Sequence, residues 1–315
     1  MADLPTPPRS DVAAATTGAG GDPSQHQEFD TVKARTQAQT VLRRFLRHRL
    51  AMISASVLLL IVLVAVFLPL FWPHQYGNTD AAGYLPPGTD HPLGTDQLGR
   101  DMVAQLLRGT QLSLLIAFVV AIGATAIGVT LGALAGYLKG FTDGLVMRLA
   151  DLMLIIPQIA VAAILVKSAQ GSWWVVAVVL AVFFWMQIAR ITRGETLSLS
   201  EREFIEAARA SGATTSRVIF RHLVPNMIGS ITVNATLVIA QAVLVEAALS
   251  FLGLGVQAPD TSLGLIINET YAQLSTRPWL FFAPFVTIVL ISLTINFIGD
   301  GLRDAFDPRQ TKVRA

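Results

Sequence analysis

The chain has no cysteine and few charged residues. None of its 315 residues is Cys, and Asp, Glu, Lys and Arg together make up only 14% of them. Without cysteine there is no disulfide framework, no thiolate metal site and no cysteine nucleophile. A hydrophobic fraction of 53% and a mean hydropathy of +0.57 lie outside the composition of ordinary soluble domains. These figures predict an integral membrane protein.

Six apolar stretches are long enough to cross a hydrocarbon core about 30 Å thick. We expect transmembrane helices at about 51–72, 112–138, 145–166, 175–191, 227–249 and 278–298. Pro157 should kink the third helix, because proline lacks an amide donor and its ring clashes with the preceding turn. The predicted fold class is therefore all-α, a polytopic membrane protein with six transmembrane helices.

The positive residues test this layout. Of 23 Lys and Arg residues, four (Arg100, Arg108, Lys167 and Arg277) fall on the predicted outer side and the other nineteen on the predicted inner side. Cytoplasmic segments are enriched in Lys and Arg, so both termini are expected in the cytoplasm. The net charge of +2 is explained by this sorting before any nucleic-acid partner is needed.

The sequence divides into four predicted parts. Residues 1–40 are rich in Pro, Gly, Ser, Thr and Ala and should form a disordered cytoplasmic tail. Residues 41–110 contain the first transmembrane helix, preceded by four arginines as in a signal anchor, and an extracytoplasmic segment. Residues 111–302 form a five-helix transmembrane core with a cytoplasmic loop at 193–226, and residues 303–315 are a cytoplasmic tail.

Small residues recur every fourth position in the second predicted span: Ala124, Gly128, Gly132, Gly136 and Gly140. This spacing aligns them on one helix face, where another helix can approach closely. We expect this face to be a helix packing surface.

Two polar features near the outer side leave alternatives open. Asp96 and Asp101 beside Arg100 resemble a metal or acid–base cluster, but capping and charge balance of a short interfacial helix starting near Gln97 is the favoured interpretation. Glu246 is the one acid deep in the fifth span, near its outer end. It either forms hydrogen bonds within the protein or lines a transport pathway.

The long polar interruption at 198–226 is predicted to hold two short helices. Ser200 and Glu203 fit a capping box, and Gly212 can take the left-handed conformation that ends a helix. Glu206 is expected near the end of the first helix, where the helix dipole does not favour a negative charge. Thr214 or Thr215 can cap the second helix, and Pro225 should keep it short. The alternative is an ordinary amphipathic loop lying on the membrane surface.

The pattern Glu206-Ala207-Ala208, Gly212 and Pro225 resembles the EAA loop of ABC importer permeases, which docks into the ATPase subunit. His222 and Val224 depart from the usual Ile and Leu. The segments PLGTDQLGRD, MRLADLMLIIPQ and VEAALSFLGLG are similar to DppC/OppC-type permeases of dipeptide, oligopeptide and nickel importers. The resemblance thus marks as ATPase-coupling residues Glu203, Glu206, Ala207, Ala208, Gly212, His222 and Pro225.

The resemblance implies the type I ABC importer permease fold in a bacterial cytoplasmic membrane. It also implies a second homologous permease, two ATPase subunits or domains and an extracytoplasmic substrate-binding protein as partners. The expected cargo is di- or oligopeptides, with nickel or another small peptide-like solute as the alternative. No GxxxxGK[ST] pattern occurs, so ATP must be hydrolysed, with Mg, by partner subunits. The chain itself is expected not to be an enzyme and to bind no cofactor or metal.

Two functions of other classes compete with this one. An ion-coupled secondary transporter working alone would carry ionisable residues near the middle of the membrane, and the central parts of the predicted spans lack obvious charge. A membrane-bound signalling or assembly protein would not account for the outer PLGTDQLGRD segment.

Overall fold

The computed structural model describes residues 37–169 and 171–307. The described residues form helices joined by turns and irregular segments, and their one β-type contact is an isolated bridge between Thr95 and Asp101. Most of the predicted N-terminal tail (1–36) and residues 308–315 lie outside the described residues. The helices, in chain order, are α1 Gln37–Arg47, α2 Arg49–Phe67, α3 Met102–Leu138, α4 Gly140–Ile155, α5 Gln158–Ser168, α6 Trp173–Ser200, α7 Glu203–Ala210, α8 Thr215–Arg217, α9 Val224–Asn226, α10 Ile228–Phe251, α11 Leu263–Thr270 and α12 Pro278–Phe306.

Five of these elements are long and apolar enough to cross a membrane: α2 with the 3₁₀ turn that follows it, α3, α6, α10 and α12. Helices α4 and α5 meet that standard only as a pair, bent by 86° at Pro157. Ile156 is extended there, with ψ of 132°, because the residue before a proline is driven out of the helical region. The predicted kink is therefore in the right place, and it is a full break.

The α4–α5 pair runs from one end of the bundle to the other. Asp143, near the start of α4, forms an ion pair with Arg193, near the end of α6. Gly171, just after α5, accepts a hydrogen bond from Gln257 in the loop beyond α10. Since α6 and α10 end at opposite sides, α4 and α5 together make one broken span, and the described part of the chain has six spans.

Helix α3 packs along α6, and the two helices are parallel. A Cβ on Gly128 would meet Ile188, one on Gly132 would meet Ala189, and one on Gly136 would meet Thr196. Ala124 on the same face is completely buried. The predicted packing surface is thus formed within this chain. Gly140 does not belong to it, because α3 ends at Leu138 and Gly140 begins the next helix with φ of +55°.

Helix α3 begins ten residues earlier than the predicted second span, at Met102 instead of Leu112. The expected separate short helix near Gln97 is wrong. Asp101 caps α3 by accepting a hydrogen bond from the Ala104 amide at 2.8 Å. Gly109 lies within this helix without interrupting it. It packs closely against Ser262 and Leu263, where a Cβ would come within 3.1 and 3.2 Å.

Both predicted tails are shorter than expected. Helix α1 includes Gln37–Thr40, and α12 continues to Phe306. The two helices contact each other. Arg44 donates to the Asp307 carbonyl at 3.1 Å, and His48 lies 3.4 Å from the Asp304 carboxylate. These contacts give the terminal segments a folded partner that composition alone does not reveal.

Candidate functional site

The loop between α6 and α10 contains a sharp turn built on Gly212. Gly212 has φ of +76°, which side chains other than glycine rarely adopt. The Ala213 amide donates to the Ala208 carbonyl at 3.1 Å, and the Gly212 amide donates to the Arg209 carbonyl at 2.9 Å. This pair of bonds is a Schellman motif, which ends α7 and fixes its angle to the next helix. The predicted left-handed glycine is confirmed.

The second helical segment starts at Thr214, whose hydroxyl accepts a hydrogen bond from the Arg217 amide at 3.4 Å. Residues Val218–Leu223 are wound as a π-helix, and Val224–Asn226 complete the segment. Pro225 has no amide N–H to donate to the carbonyl four residues earlier, and its ring crowds that carbonyl. Both effects favour the wider π-helical winding of the residues before it. The segment ends at Asn226, which agrees with the prediction that Pro225 keeps the second helix short.

Two predictions about this loop are wrong. Ser200 does not cap α7: it is the last residue of α6, and its hydroxyl donates to the Thr196 carbonyl at 2.6 Å. Arg202 occupies the N-cap position of α7, so Ser200 and Glu203 form no capping box. Glu206, expected near the end of α7, lies in its first turn. The helix dipole therefore favours its negative charge.

The inner face of the loop is apolar and packs on the bundle. Its fully buried side chains are Ile205, Val218, Ile219, Leu223 and Met227. Thr196 of α6 donates to the Met227 sulfur at 3.5 Å. Buried apolar contacts along both segments hold the loop on the ends of the spanning helices, so it is a fixed part of the fold.

Polar contacts tie the loop to the end of α3. Arg209 donates to the Tyr137 hydroxyl at 3.2 Å, and its guanidinium lies 4.8 Å from the centre of that ring. Lys139 donates to Glu201 at 2.8 Å and lowers the pKa of that exposed carboxyl. Sequence reasoning missed Tyr137 and Arg209, because nothing in the sequence pairs positions so far apart.

The outer face of the loop carries the remaining coupling residues. Glu203, Glu206, Ala207, Gly212 and Pro225 are exposed, and Ala208 and His222 are half-buried. Two large apolar side chains stand among them: Phe204 is 41% exposed and Phe220 is 52% exposed. Phenylalanine is among the residues enriched in surfaces that another protein covers. These phenylalanines were also missed, although two aromatics in a charged segment were a visible signal.

At the opposite end of the bundle, Glu246 is completely buried. It accepts hydrogen bonds from Ser113 of α3 at 2.8 Å and from Ser250 of its own helix at 2.7 Å. The same hydroxyls accept from the Leu263 and Val256 amides, at 3.3 and 3.2 Å. Of the two roles considered for Glu246, this geometry supports hydrogen bonding within the protein.

The cluster of Asp96, Arg100 and Asp101 is a capping and ion-pair arrangement. Asp96 accepts from the Leu98 and Arg100 amides, at 2.8 and 2.9 Å, and pairs with the Arg100 guanidinium. Arg100 also binds Glu269 at 2.6 Å. Burial raises the pKa of Glu269, against the opposing effect of the Arg100 charge. The structural interpretation of this cluster agrees with the contacts.

Comparison with known proteins identifies the chain's relatives. Residues 128–312 match the model of the family described as binding-protein-dependent transport system inner membrane component. The chain belongs to this family. Residues 36–87 match the model described as the N-terminal TM domain of oligopeptide transport permease C.

Relatives of the permease match it over most of their length. It is 44% identical to the oligopeptide transport system permease protein OppC of Mycobacterium tuberculosis, over 87% of this chain and 95% of that protein. It is 37% identical to OppC of Bacillus subtilis, over 85% and 88%. The dipeptide transport system permease protein DppC of Alkalihalophilus pseudofirmus is 36% identical, over 91% and 95%.

The fold is also that of a solved importer. An inward-facing structure of the MetNI methionine ABC transporter matches 65% of this chain and 98% of its own, with a TM-score of 0.54 and 22% identity. The predicted type I importer permease fold is confirmed. The permease is a multi-pass membrane protein with the loop of 201–227 at one end of its bundle and Glu246 near the other.

Proposed function

We propose that this permease forms half of the translocation pathway of an ATP-driven importer of di- or oligopeptides. The observation that supports it most directly is the loop between α6 and α10, which joins a buried apolar inner face to an exposed outer face carrying Phe204, Phe220 and the Glu206-Ala207-Ala208 sequence. The cargo follows from the names of the relatives, which are oligopeptide and dipeptide permeases. Those names do not favour the nickel alternative.

The proposed partners are a second, homologous permease, two ATPase subunits and an extracytoplasmic binding protein. ATP and Mg are used by the ATPase subunits, so this chain needs no nucleotide or Mg of its own and catalyses no reaction. The loop faces the cytoplasm, in agreement with the distribution of Lys and Arg, and both termini lie on that side. The membrane is the bacterial cytoplasmic membrane.

A half-exposed ion pair supports a watery pathway beside α4 and α6. Asp151 and Arg190 pair across these helices, with side chains 57% and 45% exposed. Charged side chains in membrane helices face protein or water, because contact with lipid tails is costly. We place the pathway wall here, beside the break at Pro157. The sequence predicted that the central parts of the spans lack charge, and this ion pair lies outside those central parts. The pairing of Asp151 with Arg190 was not predicted.

The test is reconstitution of the permease with its partner permease, ATPases and binding protein in proteoliposomes. Binding protein loaded with a peptide should stimulate ATP hydrolysis and peptide uptake. Arg190→Gln should reduce uptake, while an Arg148→Gln control on α4 should not. Copurification of the ATPases supports the importer. Uptake by the chain alone, driven by an ion gradient, would contradict it.

A further inference from the structure

We infer that His74, Asp90 and His91 form a binding site for a borderline divalent metal ion such as Zn²⁺ or Ni²⁺. The three residues stand on the segment between α2 and α3, on the side opposite the coupling loop. One ligand atom of each lies within 4.8 Å of the others. Within residues 37–169 and 171–307 this is the one group of His and acidic side chains with such spacing.

The distance from each histidine to Asp90 is close to the spacing of ligand atoms around a tetrahedral ion. The His74 Nε2 atom is 3.4 Å from one Asp90 oxygen, and the His91 Nε2 atom is 3.7 Å from the other. Metal–nitrogen and metal–oxygen bonds of about 2.1 Å in tetrahedral geometry separate neighbouring ligand atoms by about 3.4 Å. Asp90 is 80% exposed and can turn to complete the site with little rearrangement.

His91 is held in the tautomer that a metal ion requires. Its Nδ1 lies 2.8 Å from an oxygen of Asp101, whose side chain is only 1% exposed. The Nδ1–H group donates to this carboxylate, which leaves the free lone pair on Nε2, the atom that lies 3.7 Å from Asp90. A carboxylate behind a ligating histidine is the usual outer contact of protein zinc sites. The other Asp101 oxygen accepts from the Trp72 indole at 2.9 Å and from the Ala104 amide.

His74 must change tautomer to bind. Its Nε2 is 3.1 Å from the Asp90 carbonyl oxygen and donates its proton there when no metal is bound. Binding moves that proton to Nδ1 and frees Nε2 for the ion. The His74 and His91 rings already lie side by side, with centroids 4.4 Å apart and their planes tilted by 35°.

The site opens into a cleft of about 530 Å³. Gln75, Asn78 and Asp80 line the same cleft and leave room for a water molecule or a solute at the fourth position. Two nitrogens and one carboxylate favour Zn²⁺, Ni²⁺ or Cu²⁺ over Mg²⁺ and Ca²⁺, which prefer all-oxygen sites. A bound ion would join the chain after α2, the turn before Leu93 and the cap of α3, and so stiffen the outer segment.

The experiment is isothermal titration of the full chain, purified without a histidine tag in nanodiscs, with ZnCl₂, NiCl₂ and MgCl₂. We expect one saturable Zn²⁺ or Ni²⁺ site per chain and no Mg²⁺ binding. His74→Ala should weaken binding at least about tenfold. His48→Ala is the matched control, since His48 also faces an aspartate, at 3.4 Å, but lies at the opposite end of the bundle outside this cluster.

Asp101→Asn tests the positioning residue separately. Asn caps helices as well as Asp, so α3 should stay intact and the thermal stability of the metal-free chain should change little. The amide nitrogen of Asn would donate to His91 Nδ1, which places the ring proton on Nε2 and blocks the ligand. Zn²⁺ affinity should fall about 10- to 100-fold. Equal Zn²⁺ affinity in wild type and His74→Ala, or binding as tight to Mg²⁺, would overturn the proposal.

Discussion

The contact between α3 and α6 leaves no room for a side chain at Gly132. A Cβ built there would lie 2.4 Å from the Ala189 carbonyl oxygen and 2.9 Å from the Ala189 Cα, whereas ordinary contacts begin at 3.4 Å. The helices would have to separate by about 1 Å, which is the difference between 3.4 and 2.4 Å. The neighbouring atoms are backbone, so no rotamer change relieves the overlap.

The cost can be isolated with a matched control. At Gly194, in the interior of α6, an added Cβ would meet no atom within 4 Å. Alanine at either position gains about 0.5–1 kcal/mol from helix propensity, but only Gly132→Ala adds overpacking, typically about 1–3 kcal/mol. Gly132→Ala should therefore be about 1–3 kcal/mol less stable than Gly194→Ala, and Gly132→Leu lower still.

The assay is reversible unfolding of the full chain in mixed micelles titrated with a denaturing detergent, followed by tryptophan fluorescence. Both alanine variants should insert normally. Equal stability of Gly132→Ala and Gly194→Ala would refute the close approach of α3 and α6 at this point.

Three further predictions follow from the loop and the outer end. A Cβ at Gly212 would meet no atom, but Gly212→Ala must adopt φ of +76°, so it should lower the stability of the fold by about 1–2 kcal/mol. In proteoliposomes it should also reduce the stimulation of ATP hydrolysis by loaded binding protein. Glu246→Ala leaves the Ser113 and Ser250 hydroxyls without their acceptor, so it should lower unfolding stability by about 2 kcal/mol or more, and Glu246→Gln by less. Phe204→Ser should insert normally yet reduce recovery of the ATPases in copurification, and wild-type recovery would count against docking at this face.

Local patterns predicted much of the fold. Apolar runs placed the spans, because a membrane helix must satisfy its backbone internally and present apolar side chains to lipid. The glycine spacing placed the α3 face that meets α6, and Gly212 placed the turn in the loop, since each depends on residues close in sequence. Pro157 located the break between α4 and α5, but the 86° angle depends on how the neighbouring helices hold the two halves.

The errors arose where a distant contact decides the local structure. Ser200 followed by Glu203 reads as a helix start, yet α6 continues through Ser200, whose hydroxyl bonds back to Thr196. The start of α3 at Met102 depends on Asp101, which the buried His91 and the half-buried Trp72 hold in place. The metal site proposed above was missed for the same reason. His74 and His91 are separated in sequence and meet only through the folded outer segment.

The α3–α6 pair connects the two ends of the molecule. Helix α3 has 37 residues and is about 55 Å long at 1.5 Å per residue. Its inner end contacts the coupling loop through Tyr137 and Arg209, and its outer part holds Glu246 through Ser113. Because the glycine face locks α3 against α6, the two helices cannot slide past each other without backbone overlap. We therefore expect a displacement of the coupling loop to move α3 and α6 together, and the break beside Pro157, where the regular helical hydrogen bonding is interrupted, to be one place where the bundle can change shape.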